Sequence, residues 1–283
     1  MFKYGISCAL EDLNVDYPVT LRGSISDICQ TANQLGYDGI EIHLENPKKH
    51  DWDEIKQVTR DYNLKVPLLG TGRELGENGL HIVSDDEEIR KAAIKRLKEY
   101  VDCASLLGSM VVIASMRGKI KKLAKKHVYL DYHEKCIKEI AEYANSKGVF
   151  ILVENVLSFI TNYLNTVRDV QDFVSNLNCE NVGVHIDTYS MMMEDNQIEK
   201  NIVYCKDRLR YVHFSDTARL YPGGGNVDFK RYMHALSDIG YKGWISMECV
   251  PLPTSFDCAK NSIDYLKAME IIVAIERNSS RFK

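Results

Sequence analysis

Glu154, Asp187, His213 and Glu248 close, or nearly close, four successive apolar runs: "VFILVE", "VGVHID", "RYVHFS" and "GWISME". Three carboxylates and one imidazole are donors that divalent cations take. That set suits Mn2+ or Mg2+, with Co2+ or Zn2+ also compatible. Taken singly, an acid at a strand end is ordinarily the cap of the next helix, and a lone His in "YVHFS" is ordinarily a core residue. The set differs because its members are 33, 26 and 35 residues apart, the lengths of whole repeating units. Carboxylates gathered in this way repel one another unless a cation lies between them.

Bringing four such groups to one height requires neighbouring strands of one sheet. Eight stretches read as strands: 4–9, 39–44, 65–70, 110–115, 149–154, 182–187, 210–215 and 243–248. Most are near-continuous and rich in Val and Ile, as strands covered on both faces should be. Helical patterns lie between them. "SISDICQTANQLGY" has an N-cap Ser and a terminal Gly, and "SDDEEIRKAAIKRLKEYVDCASLLG" has acids in its first turn and Gly108 at its end, which suits a helix dipole. "LDYHEKCIKEIAEYANSKG" ends on Gly148, and "FDCAKNSIDYLKAMEIIVAIER" closes the chain. The sixth helix has the weakest pattern. Spread over 283 residues, eight strand–helix units average about 35 residues each, a normal size for a barrel repeat. The expected fold class is therefore α/β, a (β/α)8 TIM barrel formed by residues 1–283 as one domain. A doubly wound open sheet is the alternative, but it ordinarily advertises a nucleotide fingerprint. Neither G-x-G-x-x-G nor G-x-x-x-x-G-K-[ST] occurs here.

Composition excludes several function classes. Hydrophobic residues make up 45% of the chain and the formal net charge is −4. A mildly acidic chain lacks the positive field that duplex DNA requires, so no nucleic-acid partner is expected. No apolar run is long enough to span a bilayer, so no membrane partner is expected either. The start, "MFKYGISCAL", lacks the long apolar region and cleavage site of a signal peptide. Eight cysteines are scattered singly with no C-x-x-C pair, which reads as reduced thiols in a cytoplasmic protein.

"LVENVLSF", "VGVHIDTYSMMMED", "YVHFSDTARLYPGGGNVDF" and "WISMECVPLP" resemble the xylose isomerase-like barrels, in the branch of sugar-phosphate isomerases and ketose 3-epimerases. "LLGTGRELGENGLHIVSDDEEIRKAAIKRL" and "VVIASMRGK" are similar to the same branch, near the 5-keto-gluconate epimerases. The resemblance covers nearly the whole chain. It implies one divalent metal held by Glu154, Asp187, His213 and Glu248, with Glu154 and Glu248 also forming the acid–base pair. It implies substrate contact for Arg219 and a small sugar as partner, in a homodimer or homotetramer. The ketohexose 3-epimerases carry a His where this chain has Ser190, a Glu where it has Ile160 and an Arg where it has Phe159. The resemblance thus carries over the metal set and leaves the substrate contacts changed.

The chemistry expected is epimerisation or aldose–ketose isomerisation of a ketose, keto-sugar acid or sugar phosphate. A cation polarises the carbonyl and holds the enediolate while two glutamates move a proton from one face to the other. Competing readings are an inosose dehydratase-like lyase using the same enolate, a relative of the nuclease that cuts DNA at abasic sites, and a sugar-binding barrel without activity. Glu41, His43 and His185 point into the barrel by alternation, as sugar contacts or as satisfied inner-barrel groups. Ser190 is a further candidate contact. The basic run "RGKIKKLAKKH" (117–127) either grips an anionic substrate group or forms a solvated lid. "PGGGNVDF" (222–229) either lets backbone approach the sugar or turns the chain into a helix capped by Asp228. Met191, Met192 and Met193 read as packing beside the mouth.

Overall fold

The computed structural model describes residues 2–14 and 16–280. Eight parallel strands close into a barrel: Lys3–Ala9, Gly39–His43, Leu68–Gly70, Met110–Ile113, Ile151–Glu154, Val182–Asp187, Leu209–Phe214 and Trp244–Met247. Closure comes from the first strand, which pairs with the second on one side and with the eighth on the other, Lys3 facing Trp244 and Ile6 facing Met247. All eight expected strands are present and their limits shift by no more than a few residues. A two-residue strand, Leu21–Arg22, extends the sheet alongside Cys8 and Ala9.

Alternation along the strands builds two cores. One set of side chains points outward to the helices and forms the large cluster that includes Ile6, Ile40, Ile42, Val153, Ile186 and Val212. The other set points into the lumen, where Leu68, Val112, Leu152 and Tyr211 plug the lower half. Because side chains alternate with a period of two, the residues two places farther along these strands stack above the plug. They are Gly70, Ala114, Glu154 and His213. Gly70 lies beside His43, where a Cβ would come within 2.8 Å of the ring nitrogen Nδ1. The imidazole fits there because the position has no side chain.

The helices follow from their caps. Ser24 accepts from the Asp27 N–H to start Ile25–Leu35, and Gly36 ends it with φ +77°. Asp86 caps the long helix Glu87–Leu107, which Gly108 ends with φ +70°. Lys126–Asn145, Val167–Leu177 and Ser255–Ser280 complete the long outer helices. The sixth unit, weakest in the sequence, divides into two short helices, Thr188–Glu194 and Ile198–Tyr204. No helix among the described residues is long and apolar enough to cross a membrane.

Candidate metal centre at the barrel mouth

Register decides what meets at the mouth. Glu154 pairs with His185, Asp187 with His213, and His213 with Ser246. Asp187 therefore stands two residues beyond Glu154's partner, and Glu248 two beyond that of His213. Strand tilt in a barrel staggers neighbouring strands, and these advances offset the stagger. The ligand atoms of Glu154, Asp187, His213 and Glu248 all lie within 4.8 Å of one another. Glu248 falls one residue past its strand, where its N–H donates to the Phe214 carbonyl at 3.3 Å.

His213 Nδ1 faces Glu154 Oε1 at 3.6 Å, Asp187 Oδ2 at 3.9 Å and Glu248 Oε2 at 3.5 Å. It is buried and has no hydrogen-bond partner among the described residues. An orphaned buried nitrogen surrounded by three carboxylates is what a cation site presents when described without its ion, so this donor set fits a divalent cation. Below, His213 Nε2 lies 2.8 and 2.9 Å from the two oxygens of Glu41.

Asp187 has two roles. Its Oδ1 accepts from the Ser190 N–H at 2.6 Å, capping the short helix Thr188–Glu194, while Oδ2 turns to the cluster. The cap and the candidate ligand are one side chain. Asn155, which drew no notice in the sequence, fixes this strand end: its Oδ1 accepts from the Asp187 N–H at 2.8 Å. Arg219 donates from one nitrogen to Asp187 Oδ2 at 2.5 Å, Glu248 Oε2 at 2.8 Å and Ser215 Oγ at 3.1 Å, and its head lies over the Tyr189 ring. Ala218 and Arg219 have φ +57° and +58°. Two successive non-glycine residues in that region are strained, and the strain is spent at the turn that brings this guanidinium to the carboxylates.

The remaining candidates occupy several places. His43 is 4% exposed beside the cluster, 3.9 Å from Glu248. Glu41 is sealed beneath it at 0% exposure, and so is His185, whose two ring nitrogens lack partners among the described residues and whose ring meets that of His213 edge-on at 4.1 Å. Ser190 is buried. Of the replaced family positions, Ile160 is half-buried and Phe159 is 66% exposed.

The basic run divides. Arg117 is fully buried and donates to the Glu154 carbonyl, to Thr161 Oγ1 at 3.0 Å and to the Leu164 carbonyl at 2.8 Å, so it staples the loop behind Glu154. Lys119 reaches the Phe159 carbonyl, and Lys122 pairs with Asp85 at 3.2 Å. The glycine stretch winds around Asp216, which accepts from the N–H groups of Gly223 and Gly225 at 3.0 Å and Val227 at 2.9 Å. A Cβ on Gly225 would lie 2.5 Å from that carboxylate, so glycine is needed for the wrap. Asp228 then caps Phe229–Asp238. Met191 is buried and the partly buried Met192 packs against the core, whereas Met193 is 59% exposed.

Burial pushes Glu248 up to about 7, against the pull of His213 and Arg219. Burial disfavours charge on His213 too, yet Glu41 and Glu248 hold its pKa well above the ordinary imidazole value. Near neutral pH both groups retain protons that a cation must displace. Mn2+ affinity should fall as pH drops through about 7, by roughly tenfold per pH unit for each proton displaced. Calorimetry in buffers of different ionisation enthalpy should register proton release. An affinity flat between about pH 8 and about pH 6 would contradict this.

A family model described as a xylose isomerase-like TIM barrel matches residues 29–269. The chain is 32% identical to an L-ribulose 3-epimerase of Methylomonas sp. over 228 residues, covering 77% of this chain and 75% of that protein. It is 35% identical to a D-psicose 3-epimerase of Ruminiclostridium cellulolyticum over 227 residues, covering 76% and 74%. Among solved structures, a D-allulose 3-epimerase of Methylomonas sp. in complex with D-allulose superposes with a TM-score of 0.80 at 27% identity, over 95% of this chain and 97% of that one.

Proposed function

The chain belongs to the xylose isomerase-like TIM barrel family and is an enzyme of the isomerase and epimerase class, and from that premise we propose that it inverts a hydroxyl-bearing carbon beside the carbonyl of a ketose, keto-sugar acid or sugar phosphate. One observation carries the reading: four donors from successive strands converge within 4.8 Å, with the Nδ1 of His213 turned toward the three carboxylates and without a hydrogen-bond partner among the described residues.

Glu154, Asp187, His213 and Glu248 would hold Mn2+ or Mg2+. Such a cation would polarise the substrate carbonyl and make the neighbouring C–H acidic. Glu154 and Glu248 come from strands three positions apart, so they reach a sugar at the cluster from different sides. One takes the proton from one face and the other returns a proton to the opposite face, which is the requirement for inversion. Arg219, already bonded to both Asp187 and Glu248, is placed to donate to a substrate oxygen and to screen the carboxylates.

The relatives named above take free sugars by name, and this chain lacks the charged groups expected at positions 159, 160 and 190. The test is therefore a panel. The protein is loaded with Mn2+ and incubated in D2O with ketopentoses, ketohexoses, keto-sugar acids and their phosphates. Deuterium beside the carbonyl in a product isomeric with the substrate is the expected result. Loss of water would instead identify a lyase acting through the same enolate. No exchange with any member of the panel would contradict the reading.

A further inference from the structure

We propose that Glu41 is a positioning residue that holds His213 with its Nε2–H turned downward and its Nδ1 lone pair turned into the cluster. The inference rests on the reading of that cluster as a cation site. Glu41 stands on the second barrel strand and His213 on the seventh, and the contact crosses the lumen. Both Glu41 oxygens lie within hydrogen-bond distance of Nε2, at 2.8 and 2.9 Å. An ionised carboxylate only accepts, so Nε2 must carry the hydrogen. The lone pair of a neutral ring is then on Nδ1, the nitrogen that has three carboxylates around it and no hydrogen-bond partner among the described residues.

Glu41 is in turn fixed. Tyr211 donates its hydroxyl to one oxygen at 3.0 Å, and His43 Nε2 meets the other at 2.7 Å. The carboxylate is 0% exposed and cannot reach a sugar. A buried carboxylate is costly unless every lone pair is used, and here three side chains from two strands use them. The ring of His213 is held laterally as well, by His185 edge-on at 4.1 Å and Tyr211 edge-on at 5.7 Å. A carboxylate behind a ligating imidazole orients the ring and raises its basicity, and removing such a partner typically weakens metal binding about 10–100-fold.

Glu41→Gln tests this. The amide matches the carboxylate in shape but can donate to Nε2, which moves the ring hydrogen to Nδ1 and into the cluster. Mn2+ dissociation constants, read from the free-ion signal in electron paramagnetic resonance, should rise about 10–100-fold in the variant. Nitrogen NMR of isotope-labelled wild-type protein loaded with Mg2+ should find the His213 hydrogen on Nε2, a readout that needs no variant. Equal Mn2+ affinity in Glu41→Gln and wild type, or an Nδ1 hydrogen in the Mg2+-loaded protein, would overturn this inference alone. Failure of the wild-type protein to bind Mn2+ at all would overturn the cation site and this inference with it.

Discussion

Glu248→Gln, loaded with Mn2+ and given whichever sugar the wild-type protein exchanges, should incorporate deuterium beside the carbonyl at least about a thousandfold more slowly, and Glu154→Gln should do the same. A positioned acid or base contributes about 10²–10⁴-fold, and each of these residues would also hold the cation. The two contributions separate by measuring Mn2+ binding in the same variants. Loss of exchange with binding retained assigns proton transfer to the carboxylate. Loss of both assigns a ligand role first. Near-normal exchange in either variant would contradict its place in the acid–base pair.

Removing the metal should have the other large effect. In the cluster, Asp187 and Glu248 are balanced by Arg219 and His213, groups that must share the space with an incoming cation. Chelation should abolish turnover, and Mn2+ should restore it. The same titration should stabilise the fold, because a ligand at a hundred times its dissociation constant adds about 2.7 kcal/mol to the native state. For a chain of this size that is a rise of about 5 °C in Tm. Activity unchanged by exhaustive chelation would contradict the mechanism, and an unchanged Tm would contradict the site.

The barrel was legible because its eight strands are short, apolar and spaced by whole units, a pattern that few other folds share. What escaped notice lacks such a pattern. Leu21–Arg22 is too short to show periodicity. Arg73–Asn78 is a six-residue helix with Gly76 inside it, too short for an apolar stripe to repeat. The divided sixth helix reflects Asp195, which stops Thr188–Glu194 and then bonds Asn201 in the next helix.

Within the site, the four donors could be read from strand ends because the barrel converts sequence spacing into position. The support beneath them could not. Tyr211 and Glu41 are 170 residues apart and meet only across the lumen, and no local signal marks which inward polar groups pair there. Arg117 sat inside a run of lysines, and only burial distinguishes its guanidinium from theirs. Asp216 was hidden beside the glycines it organises. Asp187 had two readings, cap and ligand, and its two oxygens allow both.

The most direct measurement is diffraction at the manganese absorption edge from a crystal grown with Mn2+. The account predicts one anomalous peak at the barrel mouth, bounded by carboxylate oxygens of Glu154, Asp187 and Glu248 and by Nδ1 of His213, each at roughly 2 Å. A mouth without that peak, or a peak held by other residues while these four side chains turn apart, would contradict it.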